Sequence, residues 1–335
     1  MTEKTRSRFI NDIYVNREYS WLLFDKRVLE QSQDLSNPLL ERCKFLSIFS
    51  SNLDEFFMVR VGSLYNESLS DAQARDNKTQ LTAAKQLEGV CETVRDLYAE
   101  RAVCYFRLKK ELSKYGVRIL RADELTPRQK EEARTVFMTH VLPLLSLMVL
   151  DAKHPLMQFE NMKNYMLYDL ERDGRHMVGV MAFNAALDRL YRIGGGEKAR
   201  LVPLEELVRA FGHNAFTGYT AGGRMMMRVT RNADFDTNID DSDVERDFSE
   251  IMKKKVESRA RLNVVRLEID REDEKLKEFV LKLLKLHPRF CFCDERFFDY
   301  KFMFSLDKYL PPERSLPLKY PPFKGAVAKE LCGAP

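Results

Sequence analysis

The sequence predicts a multi-domain protein in which an antiparallel three-helix bundle precedes an α+β domain with a mixed or antiparallel sheet. Apolar residues follow a helical period up to Gly116, and two of the three helical stretches are unusually long. After Gly116 the apolar runs shorten, and an Asp173-Gly174 pair separates two of them. A chain of 335 residues is long enough for about two domains with substantial cores.

The first helix is expected directly after Asn16. Trp21, Phe24 and Val28 recur at the spacing of one helix face, with two leucines beside them. This pattern is typical of an amphipathic helix that packs its apolar face against its neighbours.

The second and third helices are the long ones. The second is expected over 38–64, with Asn37 as its N-cap and a proline in its first turn. A polar loop is expected at 66–78. The third helix carries an apolar stripe over 87–112 and ends at Gly116, because glycine readily adopts the backbone conformation that stops a helix.

The clearest local signal in the second region is a hairpin at Asp173-Gly174, between the apolar runs 165–168 and 177–181. Further strands are expected at 117–120, 190–193, 225–229, 264–269 and 290–293, and helices at 126–141, 204–211, 244–262 and 275–286. Hairpins mixed with helices favour an α+β fold over a doubly wound one.

These patterns divide the chain into a helical domain at 1–116, an α+β domain at 117–310 and a connector at 311–335. Five of the 12 prolines fall within 311–322, which predicts an extended connector. Connectors normally lead into another domain, so we expect a truncated product of a longer protein.

Composition excludes several classes of protein. The net charge is only +4, which disfavours a general nucleic-acid binder, so any anion site must be local. No apolar run is long enough to span a membrane, and residues 1–6 lead into no apolar secretory stretch. We therefore expect a cytoplasmic protein, and peripheral membrane attachment stays open.

The sequence contains no recognised catalytic pattern. It lacks a phosphate-binding glycine loop, a dinucleotide-binding glycine motif, a zinc-protease motif and a nucleophile elbow. Cys291 and Cys293 form a close pair, but a zinc site needs a second pair of ligands and only His287 is near. Structural cysteines in a strand are the expected outcome.

Asn52 is the most unusual position of the second helix. Phe45, Phe49, Asn52, Phe56 and Val59 share one face, so an amide interrupts an apolar stripe. One interpretation is a hydrogen bond between helices that fixes the register of the bundle. The other is that the amide, flanked by aromatic residues, contacts the edge of a flat heterocycle such as a nucleobase.

Arg224, Arg228 and Arg231 form the best anion-binding candidate of the second region. Guanidinium groups match phosphate oxygens in a bidentate geometry, and the first two share a strand face. The alternative is a solvated edge, or ion pairs with Asp234 and Asp236.

Several long motifs resemble the first type of bacterial polyphosphate kinase. Residues 16–22 and 38–61, which include Ser51-Asn52-Leu53-Asp54-Glu55, resemble the amino-terminal domain of that family. The matches to its head domain and to the connector that follows lie at 202–207, 228–236, 265–268 and 320–323. Residues 154–159 depart from the family pattern, which is usually richer in aromatic residues and proline.

The resemblance implies reversible transfer of the terminal phosphate of ATP to inorganic polyphosphate, through a phosphohistidine and with Mg²⁺. The catalytic histidines belong to two carboxyl-terminal domains, so the resemblance implies no catalytic residue and no metal ligand in this chain. It implies a contact of Asn52 with the base of ATP or ADP and a homodimer through the head domain. By itself the chain is expected to be inactive. The alternative is a non-catalytic dimerisation or regulatory remnant of the family.

Overall fold

The structure, a computed structural model, describes residues 14–150, 158–233, 262–271, 273–294, 296–322 and 325. Its helices are α1 Arg17–Gln31, α2 Leu39–Phe56, α3 Gly62–Ser70, α4 Ala83–Lys114, α5 Pro127–Val136, α6 Leu204–Phe211, α7 Glu274–Leu284 and α8 Pro312–Ser315. Its strands are β1 Val117–Ile119, β2 Ser146–Leu150, β3 Asn164–Arg172, β4 Arg175–Ala182, β5 Leu190–Arg192, β6 Ala199–Pro203, β7 Thr220–Arg231, β8 Val264–Ile269 and β9 Cys291–Cys293. The expected order, a helical region followed by an α+β region, is confirmed.

Helix α1 begins where the sequence indicates. The Asn16 side chain accepts hydrogen bonds from the backbone N–H groups of Glu18 and Tyr19, at 3.0 and 3.3 Å. The predicted apolar face is only partly right. Phe24 is 46% exposed, whereas Asp25 is fully buried in its place.

Helix α2 differs from the prediction at both ends. Pro38 is the N-cap instead of Asn37, because the Asn37 amide donates to the Gln31 carbonyl at 3.1 Å. At the other end, a π-helical turn at Phe57–Val61 leads directly into α3. The predicted loop at 66–78 is therefore wrong over 66–70.

Polar residues in α3 explain why the sequence predicts a loop at this position. The hydroxyls of Ser68 and Ser70 donate to the carbonyls of Tyr65 and Glu67 within the same helix, at 2.7 and 3.3 Å. Such bonds satisfy side chains that in sequence favour turns. The composition of this stretch therefore indicated a loop although the backbone is helical.

The third predicted helix is α4, of 32 residues, which starts at the N-cap Thr82. Beyond its end, Gly116 has a φ of 94°, the left-handed conformation expected of a helix-terminating glycine. Helix α4 packs against α1 and α2 and completes the three-helix bundle.

The α+β region contains two sheets. The six-stranded sheet has the order β2-β4-β3-β7-β8-β9, antiparallel except for the parallel β8-β9 pair. The three-stranded sheet has the order β1-β6-β5, with β1 parallel to β6. The predicted hairpin is β3-β4, where Asp173 and Gly174 both have positive φ, at 53° and 69°, as a tight hairpin turn requires.

The predicted strands and helices of this region mostly lie where expected, and β2 and β6 were missed. Strand β2 is largely exposed, so it lacks the alternation of buried and exposed residues that marks a strand in sequence. The helix expected at 244–262 falls outside the described residues except for Leu262.

One hydrophobic core joins the two regions. Leu53 and Phe57 of the helical region belong to the same buried cluster as Met227 and Leu267 of the six-stranded sheet. A second cluster lies under α5 and α6. The packing is also close at the start of α3: a Cβ on Gly62 would lie 2.6 Å from the side chain of Asn232, so glycine allows the residue after β7 to approach.

The proline-rich stretch is helical rather than extended over 312–318. Pro312 begins α8, and a 3₁₀ turn follows over Leu316–Leu318. Leu318 is buried in the main core, and the Tyr320 hydroxyl donates to Asn37 Oδ1 at 2.5 Å. Proline suits the first turn of a helix, so these prolines start short helical turns. Among the described helices, none has the length and apolar character that crossing a membrane requires.

Candidate functional site

Asn52 lies at the contact between α1 and α2. Its Nδ2 donates a hydrogen bond to Asp25 Oδ1 at 3.0 Å, and its side chain is half-buried. The hydrogen bond between helices, one of the two interpretations of this amide, is therefore present. The bond uses one amide hydrogen, which leaves the second hydrogen and the carbonyl oxygen for another partner.

Aromatic rings lie beside this pair. Trp21, one turn before Asp25, stacks on Phe56, one turn after Asn52, with ring centroids 4.4 Å apart and planes 14° apart. The ring of Phe24 packs edge-on against Trp21, with ring centroids 6.4 Å apart, and Phe24 is 46% exposed. Asn52 thus lies one helical turn from a stacked ring pair, and the exposed ring of Phe24 packs against that pair.

The Asp25 carboxyl is poorly neutralised. Burial raises its pKa to about 7, against the opposing effects of the Asn52 hydrogen bond and the charge of Arg101. Its Oδ2 is buried and has no hydrogen-bond partner among the residues that the structure describes. Asp25 therefore holds the Asn52 amide while it exchanges its own proton near neutral pH.

Asp54, two residues after Asn52, faces the six-stranded sheet. Its Oδ1 accepts from Arg228 Nη2 at 2.9 Å and from Arg266 Nη2 at 2.5 Å. Arg228 Nε donates to Glu268 Oε2 at 2.7 Å. We call these four residues the buried charge quartet: Asp54, Arg228, Arg266 and Glu268. Its two positive and two negative charges cancel, and all four residues are at most 4% exposed.

Strand pairing assembles the quartet. Arg228 of β7 lies opposite Glu268 of β8, and Thr230 lies opposite Arg266. Tyr98 of α4 adds a hydroxyl that donates to Glu268 at 2.7 Å and accepts from Arg266 at 3.1 Å. The quartet therefore fastens α2 and α4 to the sheet, and it shares the segment of α2 that carries Asn52.

The structure does not bring the three predicted anion-binding arginines together. Arg228 is 1% exposed and lies among carboxylates, so it is not an accessible anion site. Arg231, the last residue of β7, donates to the carbonyls of Phe159 and Leu262. Arg224 is half-buried, and its Nε is buried with no hydrogen-bond partner within the described ranges. Ion pairing of Arg228 was the alternative expectation, although Asp234 and Asp236 lie outside the described residues.

Sequence reasoning missed three of the acidic residues that matter: Asp25, Asp54 and Glu268. A usable signal existed in β8, where Arg266 and Glu268 alternate with apolar residues, so both must face a covering layer. Such a pattern in a strand buried on both faces indicates a buried ion pair. Cys291 and Cys293 lie in β9 as expected, and within the described ranges no cluster of potential metal ligands occurs.

Comparisons with known proteins agree with this architecture. A family model described as the polyphosphate kinase N-terminal domain matches residues 14–120, and one described as the polyphosphate kinase middle domain matches residues 128–306. A polyphosphate kinase of Bacillus cereus is 34% identical over 312 residues, which cover 89% of this chain and 44% of the relative. One of Exiguobacterium is 33% identical over 307 residues, with 90% and 42% coverage.

A solved structure shows the same fold. The crystal structure of polyphosphate kinase from Porphyromonas gingivalis matches with a TM-score of 0.75 at 20% identity, over 97% of this chain and 45% of that chain. Fold and matches together define the amino-terminal and middle part of a kinase. The chain belongs to the polyphosphate kinase family, and it spans less than half the length of the curated relatives that it matches.

Proposed function

We propose that this chain supplies the base contact, through Asn52, to an enzyme that reversibly transfers the terminal phosphate of ATP to inorganic polyphosphate. In this proposal the phosphohistidine and the Mg²⁺ site belong to the carboxyl-terminal domains of the family. The chain's own part is to bind and orient the nucleotide at its base end.

The observation that supports the proposal most directly is the hydrogen bond that Asn52 donates to Asp25, close to the stacked rings of Trp21 and Phe56. Asp25 fixes the Asn52 amide at 3.0 Å, so its remaining donor and acceptor have a defined direction. The Watson–Crick edge of adenine offers a donor and an acceptor side by side, which an amide matches in a bidentate geometry. The exposed ring of Phe24 and the edge of Trp21 supply an apolar surface for the flat base.

The single tryptophan of the chain makes this contact measurable. Trp21 stacks on Phe56, which lies one helical turn after Asn52, so we expect its fluorescence to change when the chain is titrated with ATP. Asn52→Ala should weaken or abolish this response. Asn77→Ala, an exposed asparagine in the same helical region, should leave it unchanged. Tripolyphosphate, which has no base, serves as the ligand control. An unaltered ATP titration in Asn52→Ala would sink the proposal.

Phosphate transfer requires a second assay. Polyphosphate synthesis from ATP and Mg²⁺ is measured for the chain alone, and then for the chain mixed with a separately expressed catalytic half of a related kinase. We expect activity only on mixing, and its loss with Asn52→Ala. Silence in both assays from a well-folded protein would favour the non-catalytic remnant.

The same proposal includes a homodimer through the head domain. In support, β2 is an edge strand of the six-stranded sheet, and its Leu147 and Met148 are 43% and 46% exposed. We expect sedimentation to give a dimer and Met148→Lys to shift it toward monomer. A monomeric wild-type chain at micromolar concentration would contradict this part. A cytoplasmic location, with peripheral membrane attachment open, completes the proposal.

A further inference from the structure

A groove of about 450 Å³ runs between α4 and the edge strand β9. Helix α4 contributes one face to it, in which Ala99 and Ala102 are the small residues that leave the space. The opposite wall comes from β9 and the residues after it, which include Cys293 and Asp294. The groove shares no lining residue with the Asn52 site, which lies at the contact between α1 and α2.

Two arginines mark the two ends of this groove. The Arg95 guanidinium lies 5.1 Å from the ring centroid of Phe292, and its Nη2 donates to the Arg289 carbonyl at 2.6 Å. The Arg296 guanidinium lies 4.7 Å from the ring centroid of Phe106. An aromatic face restricts each guanidinium, which reduces the entropy lost when it binds an anion.

The lining has a surplus of positive charge. Among the described residues, neither Arg95 nor Arg296 has a carboxylate within ion-pair distance. Among the described lining residues the carboxylate is Asp294, and buried Arg101 neutralises it through a 2.5 Å hydrogen bond. Within that described lining, the charges left facing the groove are therefore the two guanidinium groups.

The groove is elongated. Arg95 and Phe106, which carries the second guanidinium, are eleven residues apart on α4, and that spacing corresponds to roughly 16 Å along a helix axis. A single phosphate cannot bridge two cations at this separation, whereas a linear chain of phosphates can. Guanidinium forks bind such oxygens in a bidentate geometry.

We propose that this groove is a binding site for a linear oligophosphate, which lies along α4 with Arg95 and Arg296 at its ends. The choice of occupant rests on the proposed function, because that function names inorganic polyphosphate as the polymer. The site itself rests on the groove and its charges. It would hold a stretch of the polymer away from the nucleotide contact at Asn52.

The test uses this chain and inorganic polyphosphate of defined length, with affinity measured by calorimetry at two salt concentrations. We expect Arg95→Ala combined with Arg296→Ala to weaken binding by roughly tenfold or more. The matched control is Arg118→Ala with Arg128→Ala, which removes the same charge at exposed positions outside the groove and should bind as the wild type does. Thermal unfolding of each variant verifies that it is folded.

A second measurement locates the ligand. Cys293 is exposed and lines the groove, so bound polyphosphate should slow its alkylation, as followed by peptide mass spectrometry, in the wild type but not in the double variant. Equal affinity of both double variants, or alkylation of Cys293 at an unchanged rate, would overturn the site. An acidic peptide that binds the groove more tightly than polyphosphate would overturn the occupant. The outcome of the Trp21 titration with ATP does not depend on the outcome of the polyphosphate experiments. It therefore distinguishes an error in the proposed function from an error in the proposed groove site.

Discussion

Asp25 and Asp54 are both buried carboxyl groups of the helical region, yet their surroundings are opposite. Asp54 accepts hydrogen bonds from two guanidinium groups, at 2.9 and 2.5 Å, within a quartet whose charges cancel. Asp25 accepts one bond from a neutral amide, and its other oxygen has no partner in the described part of the chain. The first carboxylate fastens the helices to the sheet, and the second holds a side chain that faces solvent.

The difference separates stability from function within one short segment. A buried charge that holds a fold together must be matched, because an unmatched one costs several kcal/mol. A buried carboxyl that orients a site can stay under-matched when its proton remains bound at moderate pH. Asn52 and Asp54 are two residues apart, so one helix presents both arrangements on different faces.

The largest expected effect is the loss of Asp54. Asp54→Ala leaves Arg228 and Arg266 with the single carboxylate of Glu268 in a buried position. We expect the free energy of unfolding to fall by about 3–5 kcal/mol, as measured by urea denaturation. Glu55→Ala, at the exposed neighbouring position, should change it by less than about 0.5 kcal/mol. Similar losses in both variants would show that the quartet is not matched as described.

Asp25 is expected to make stability depend on pH. Its folded pKa of about 7 lies above the ordinary value of 3.8, so between these pH values the folded state keeps a proton that the unfolded state loses. Stability should therefore fall as pH rises from about 4 to 7, by at most about 4 kcal/mol, and level off above. Asp25→Asn should remove this slope, whereas Asp96→Asn, at an exposed position on α4, should retain it. Parallel slopes in both variants would refute the assignment.

Tyr98→Phe tests the quartet more gently. The variant loses a hydroxyl that bonds both Glu268 and Arg266, but each charge keeps its opposite partner. We expect a loss of about 1.5–3 kcal/mol in urea denaturation, below that of Asp54→Ala, because both partners of the hydroxyl are charged. Tyr115→Phe, which removes an exposed hydroxyl, is the matched control. A loss as large as that of Asp54→Ala would mean that the tyrosine, rather than the charges, organises the interface.

Phe24→Ala should have the smallest effect on stability and a visible effect on ligand binding. The ring is 46% exposed, so the free energy of unfolding should change by less than about 0.5 kcal/mol. If the base lies against this ring, ATP affinity in the Trp21 titration should fall roughly two- to tenfold. Phe304→Ala, with a ring 43% exposed elsewhere, is the control. An unchanged ATP affinity would remove Phe24 from the base contact.

Much of the fold could be predicted from the sequence because helix caps and turns depend on neighbouring residues. The Asn16 cap, the Asp173-Gly174 turn and the stop at Gly116 each depend on a few neighbouring residues, and each lies where expected. The helix at Leu204–Phe211 is also confirmed at both ends. Where the conformation depends on interactions between residues close together in the chain, the sequence alone is enough to predict it.

Contacts between side chains far apart in the chain could not be predicted from the sequence. Arg228 was a candidate for anion binding or for ion pairs with Asp234 and Asp236, but its partner Asp54 is 174 residues away in the chain. Asp25 was missed for a related reason: the apolar pattern assigns the buried face to Phe24, and nothing in it predicts a buried acid that accepts a hydrogen bond from an amide 27 residues later. The candidate site therefore could be predicted at Asn52, and the residue that holds it could not.

The buried charge quartet also limits how the chain can change over evolutionary time. Replacement of any one of Asp54, Arg228, Arg266 or Glu268 leaves an unpaired buried charge, whereas removal of one acid together with one arginine restores neutrality. Substitutions at these positions should therefore be tolerated in compensating pairs and rejected singly. The helical region and the sheet would then have to change together. A helical domain exchanged between distant relatives would need the matching arginines of the sheet to be exchanged with it.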